Sequence, residues 1–119
     1  MIFVGTDIVP IIRIENLIKK KGSHFLNHVY TKLEQNICNT KKTPFIHYSG
    51  KFAAKEAVKK ALLSSKLTNN IPLLSIEIQN ADDGAPLVHI SRESIKYEQL
   101  QISISHAGEY ATATAILEL

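Results

Sequence analysis

From Thr43 to about Ser65 the chain keeps one helical period, and this is expected to be the longest helix. Thr43 offers a capping hydroxyl directly before Pro44, and Pro suits a first helical position because the N–H it lacks would have no partner there. At about 100° per residue, Ala53, Ala54, Ala57, Val58, Ala61 and Leu62 fill one apolar arc, while Lys55, Glu56, Lys59 and Lys60 fill the opposite one. Phe52 and Leu63 interrupt the charged arc, so that face is expected to be covered by another chain or by a ligand. Gly50 lies inside the helix. With 119 residues in all, the chain is a single domain, 1–119, with a small core.

The flanking segments set the fold class. Residues 2 to 9, Ile-Phe-Val-Gly-Thr-Asp-Ile-Val, read as a strand interrupted by Gly5 and ended by Pro10. Ile11, Ile12, Ile14, Leu17 and Ile18 recur at helical spacing up to Lys19-Lys20-Lys21, whose charges complement the carboxyl end of a helix that Gly22 stops. Thr31-Lys-Leu-Glu34 fits a capping box and predicts a short helix. After Asn69-Asn70 and Pro72 the texture changes to alternation. Leu74 to Gln79 and Leu87 to Ile90 flank an Asp82-Asp83-Gly84 turn, and Gln101 to His106 and Tyr110 to Leu117 flank Gly108. Two hairpins are predicted, with a short helical stretch around Ser91 to Glu98 between them. The class is α+β, with helices in the first half packed on a small, mainly antiparallel sheet.

Charge narrows the partners. Residues 1–60 hold eleven Lys/Arg against four Asp/Glu, a surplus of +7; the remainder holds three against seven, or −4, which leaves the net +3. A basic half points to an anionic partner. Its lysines are not interleaved with stacking aromatics and no recognition motif appears, which counts against a nucleic-acid-binding protein. No Walker A loop or dinucleotide fingerprint occurs, against an ATPase or a nicotinamide enzyme. Cys38 has no second cysteine to pair with, so a reducing, cytoplasmic setting is expected; no membrane span or signal peptide is read in the chain.

Three side chains stand out as chemistry. Asp7 is a lone acid in an apolar strand, costly unless paired or metal-bound; the alternative is that it ends the strand and caps the next helix. Glu56 has Lys60 at (i, i+4), which by itself is a solvated salt bridge. Yet Lys51, Lys55, Lys59 and Lys60 all surround it, as for a carboxylate holding Mg²⁺ beside lysines that neutralise a pyrophosphate. His106 lies at a strand-to-turn junction, a place for ligand contact, though a lone His is also commonly a surface residue. His24, His28, His47 and His89 show no metal-ligand spacing.

Four stretches in order carry a resemblance: Gly5-Thr-Asp-Ile-Val9 with Arg13 behind it, Thr31-x-x-Glu34, Lys51-Phe-Ala-Ala-Lys-Glu-Ala57 with Lys60-Ala61, and Ile104-Ser-His106. Together with Gly84-Ala-Pro86 they make the chain similar to the holo-acyl-carrier-protein synthase family of phosphopantetheinyl transferases. The resemblance implies that fold, a homotrimer with active sites between subunits, and Mg²⁺-dependent transfer of 4′-phosphopantetheine from coenzyme A to a serine of apo acyl carrier protein, releasing 3′,5′-ADP for fatty acid biosynthesis. It implies catalytic roles for Asp7, Glu56 and Lys60, with Asp7 and Glu56 as the metal ligands. Lys51, Gly84, Pro86 and His106 would bind coenzyme A, and Arg13 and Lys20 would receive the acidic carrier. The intact Asp7, Glu56 and Lys60 set speaks against a non-catalytic interaction domain of the same fold. The chain departs from the family pattern in having Lys51 where Arg is usual, His28 where Arg is common, Phe3 in place of the first Gly, and Leu63-Ser-Ser-Lys66 in place of Gly-Thr-Gly.

Overall fold

The computed structural model describes all 119 residues. Strand β1 (Ile2–Pro10) leads directly into helix α1 (Ile11–Lys21), followed by α2 (Ser23–Val29), α3 (Lys32–Asn39) and α4 (Pro44–Ser65). Strands β2 (Ile76–Asn80) and β3 (Pro86–Ile90) form one antiparallel hairpin. The strands β4 (Gln99–Ala107) and β5 (Tyr110–Glu118) form the other, and β1 adds antiparallel to β5, giving a three-stranded sheet in the order β1-β5-β4.

Helix α4 lies across this sheet on a seam of small residues. Ala53, Ala54, Ala57 and Ala61 are fully buried against it, as are Ala111, Ala113, Ala115 and Leu117 of β5. Small side chains on both sides let the two backbones approach closely, and Gly5 is where they approach most. A Cβ there would stand 1.9 Å from the Ala57 carbonyl oxygen, so no side chain fits. Gly5 therefore does not interrupt β1, which runs through it paired with Ala115; it admits the helix.

Several expectations are corrected. The charged face of α4, expected to be covered by another chain or a ligand, is covered by its own chain at Lys51 and Lys55, which are 6% exposed and fully buried where α3 and β2 pack on it, while Lys60 further along stays exposed. Phe52 is covered by its own chain, with the Arg13 guanidinium 5.7 Å from its ring centroid. Thr43 precedes α4, with Pro44 at its start, but its hydroxyl caps nothing. The Thr31–Glu34 capping box forms in full. Helix α2 was not legible, since it is seven residues long with no capping side chain at its start. Residues 91–98 form no helix. Ser91 donates to the Ser75 carbonyl, Ile95 is buried, and the segment is spent bridging the two sheets.

Candidate active site

Asp7 shares with Gly5 and Val9 the face of β1 that looks at α4, and its side chain is 16% exposed. Lys60 reaches across from α4. Its ammonium donates to Asp7 Oδ1 at 3.0 Å and to the Thr6 carbonyl at 2.9 Å. Asp7 thus sits inside the strand and caps no helix; α1 follows Pro10 without a side-chain cap. Nor does Lys60 pair with Glu56, one turn earlier on α4. Glu56 is half-buried and enters no ion pair of the chain. Lys60 offsets the charge of Asp7, while its half-exposed ammonium remains able to meet a further anion.

The chemistry of this donor set is selective. No group of three or more His, Cys, Asp or Glu is gathered anywhere in the chain, so a cation held by protein ligands alone is not provided for. Two carboxylates on facing elements fit a hard cation such as Mg²⁺, which completes its shell with water and phosphate oxygens.

A second group of residues lines a cavity of about 460 Å³ at the β4 side of the sheet. Lys51, Gly84, Pro86 and His106 all line it, so the four residues matched to coenzyme A binding are brought together. Gly84, at φ +90°, gives the β2–β3 turn a left-handed backbone that a side chain would strain. Lys51 forms the floor. Its ammonium donates to the Ile78 carbonyl at 3.3 Å, and burial pushes its pKa down. Lys41 and His47 also line the cavity, and sequence reasoning passed over both. The signal for His47 was its position four residues before Lys51, which places the two on one face of α4.

Beneath the cavity wall lies a buried network. The Lys55 ammonium is 2.6 Å from Glu34 Oε1 and donates to the Ile76 and Leu73 carbonyls at 2.7 and 3.1 Å. Glu34 Oε1 also accepts from the Thr31 N–H and Oε2 from the Ile78 N–H at 2.7 Å. Burial lowers the pKa of Lys55, opposed by the charge and hydrogen bond of Glu34. Three elements, α3, α4 and β2, are fastened at one point.

On α1, Arg13 and Lys20 are both exposed. Lys19 is engaged by Glu15 at 3.0 Å, which leaves Lys20 and Lys21 as the free cations of that helix end.

The 4′-phosphopantetheinyl transferase superfamily profile matches residues 3–115. A holo-[acyl-carrier-protein] synthase of Protochlamydia amoebophila is 47% identical over 116 residues, covering 95% of this chain and 94% of that protein. Among solved structures, the ACPS–CoA complex of Chronobacterium ammoniagenes superposes with a TM-score of 0.85 at 28% identity, over 99% of this chain and 97% of that one. A holo-(acyl-carrier-protein) synthase of Bacillus anthracis in complex with CoA (3′,5′-ADP) gives 0.80 at 33% identity, over 98% and 95%. With its α+β architecture, its motifs and nearly its whole length shared with these proteins, the chain belongs to the holo-acyl-carrier-protein synthase family of the 4′-phosphopantetheinyl transferase superfamily.

Proposed function

We propose that this single-domain protein, residues 1–119, transfers 4′-phosphopantetheine from coenzyme A to a serine hydroxyl of apo acyl carrier protein and releases 3′,5′-ADP, serving fatty acid biosynthesis in the cytoplasm. The observation that carries the reading is the Asp7–Lys60 contact with Glu56 one turn away, on the α4 segment whose other end lines the basic cavity. Asp7 and Glu56 would hold Mg²⁺. Bound there, the ion would neutralise the pyrophosphate of coenzyme A and make its phosphorus more electrophilic.

The chain's own residues do the rest. Lys60 offers a half-exposed ammonium beside Asp7, suited to offset charge on the departing ADP. The cavity of Lys51, Gly84, Pro86 and His106 seats the nucleotide end of coenzyme A. Attack by the serine oxygen forms the new P–O bond as the bond to the ADP oxygen breaks, and the hydroxyl proton passes to a carboxylate or to water. Arg13 and Lys20, exposed on α1, give the acidic carrier a complementary surface.

The working unit is a homotrimer in this reading. The sheet face away from α4 is apolar and open: Val4 lies opposite Ile116, and Ile2 and Ile8 are 63% and 65% exposed. Asp7 on β1 and the cavity at β4 stand two strand spacings apart, roughly 10 Å, at opposite edges of the sheet. A neighbouring copy at either edge would complete a shared site.

The experiment is intact mass measurement of apo acyl carrier protein incubated with the protein, coenzyme A and Mg²⁺. The carrier is expected to gain one phosphopantetheine, and a folded carrier that gains none overturns the proposal.

A further inference from the structure

The β2–β3 hairpin is joined to neither edge of the three-stranded sheet. Strand β2 pairs with β3 on one side only, and α3 and α4 pack on it. A buried strand edge leaves backbone groups that must find partners. On β2 those partners are charged side chains in place of a further strand. The Ile78 N–H donates to Glu34 Oε2 at 2.7 Å, the Ile78 carbonyl accepts from Lys51 at 3.3 Å, and the Ile76 carbonyl accepts from Lys55 at 2.7 Å. Glu34 and Lys55 are in turn bound to each other.

For stability alone this is a costly way to close an edge, since apolar side chains of similar volume often pack as well as a buried ion pair. What the ions add is direction. Each hydrogen bond fixes a distance and an angle, whereas apolar contacts tolerate sliding. Ile78 is held at both its N–H and its carbonyl, which sets β2 along α4 as well as against it. The cavity depends on that placement. Asn80, Gly84 and Pro86 reach it from the hairpin, and His47, Gly50 and Lys51 from α4. No ladder of backbone hydrogen bonds ties those two walls together, so the buried charges set the distance between them.

We propose that Glu34 and Lys55 are positioning residues for coenzyme A: neither lines the cavity, and together they fix its width by clamping β2 to α4. This rests on the transferase reading of the site. The rest of the machinery is held independently. Asp7 and Lys60 meet on the β1 side of α4, which is seated on the sheet by its alanine seam, and Arg13 and Lys20 lie on α1. Loosening the clamp therefore weakens coenzyme A and leaves turnover at saturating coenzyme A, and the use of the carrier, in place.

Initial rates of carrier modification by the full chain, with coenzyme A and apo carrier varied in turn at saturating Mg²⁺, test this. Two variants are compared with wild type after circular dichroism has checked their fold. Glu34→Gln/Lys55→Met leaves no bare charge but does not restore the bond to the Ile76 carbonyl. Glu34→Asp keeps the charge opposite Lys55 on a stem one methylene shorter, and carries the test alone if the double variant does not fold. KM for coenzyme A is expected to rise roughly tenfold in the double variant and less in Glu34→Asp, with kcat and KM for the carrier within about twofold of wild type. The double variant is also expected to be more stable than Lys55→Met while its KM for coenzyme A stays raised, a separation that a purely structural pair would not give. An unchanged KM for coenzyme A in the folded variants, or an equal rise in KM for the carrier, overturns the proposal. Wild-type protein that adds no mass to the carrier overturns the transferase reading itself, and this inference with it; wild-type protein that adds it confines any failure to the clamp.

Discussion

The Lys55 ammonium and the Glu34 carboxylate meet at 2.6 Å with both side chains fully buried, joining α3, α4 and β2. Breaking such a pair leaves one charge without a partner or water. Lys55→Met is therefore expected to cost about 3–5 kcal/mol of stability. The double variant Glu34→Gln/Lys55→Met, which leaves no bare charge, is expected to recover part of it. Urea unfolding of the single and double variants measures this. A double variant that loses the full sum of its singles would show that the two side chains do not act together.

The same pair shows what periodicity does not report. Lys55 lies on the charged arc of α4, and helical spacing assigns that arc to solvent or an outside partner. At Lys51 and Lys55 that face is instead covered by β2, distant in sequence, whose Ile78 and Ile76 carbonyls accept from the two lysines. A long side chain with three donors at its tip can satisfy buried carbonyls as well as water, and only the tertiary partner distinguishes the cases. Glu34 was legible as a capping residue but not as a core anion. Asp7 was legible because charge in an apolar strand is costly. The two hairpins followed from alternation and turn residues, both local signals. His47 was passed over because a single histidine makes no pattern until β4 and the β2–β3 hairpin close around it.

Gly5→Ala tests the seam between β1 and α4. The added methyl would stand 1.9 Å from the Ala57 carbonyl oxygen, and the obstacle is backbone rather than a movable side chain. The helix must shift from the sheet, at a cost of roughly 3 kcal/mol or more. Thermal unfolding is expected to show a marked fall in Tm. An unchanged Tm would mean that the helix rides further from β1 than described.

Asp7→Asn and Glu56→Gln separate chemistry from folding. The Lys60–Asp7 pair is partly exposed, so losing it is expected to cost at most about 1 kcal/mol of stability. Turnover is expected to fall on the order of a hundredfold or more, because each variant removes a carboxylate that would hold the cation against the phosphates. Mg²⁺ should raise the Tm of wild-type protein and not that of either variant. Full activity in both would mean that the cation site lies elsewhere.

Cys38 predicts an alkaline dependence that can be isolated. Its thiol is buried beside Tyr30 and Tyr48, and burial pushes its pKa from an ordinary 9 up to about 11. The unfolded chain therefore releases the Cys38 proton before the folded chain does. The sign follows: stability from this group is complete below pH 9 and is lost as pH rises toward 11. Tyr48, raised to about 12, acts in the same sense at higher pH. Lys51 and Lys55, whose pKa values burial lowers, act in the opposite sense, so the wild-type profile alone does not isolate the thiol. The difference between wild type and Cys38→Ala does. Tm measured from pH 8 to 11 is expected to fall more steeply in wild type than in Cys38→Ala, and identical slopes would refute the assignment. Alkylation supplies an independent check, since at pH 8 a thiol of pKa about 11 is thiolate in roughly one molecule per thousand. Native protein should resist iodoacetamide, and urea-unfolded protein should react at once.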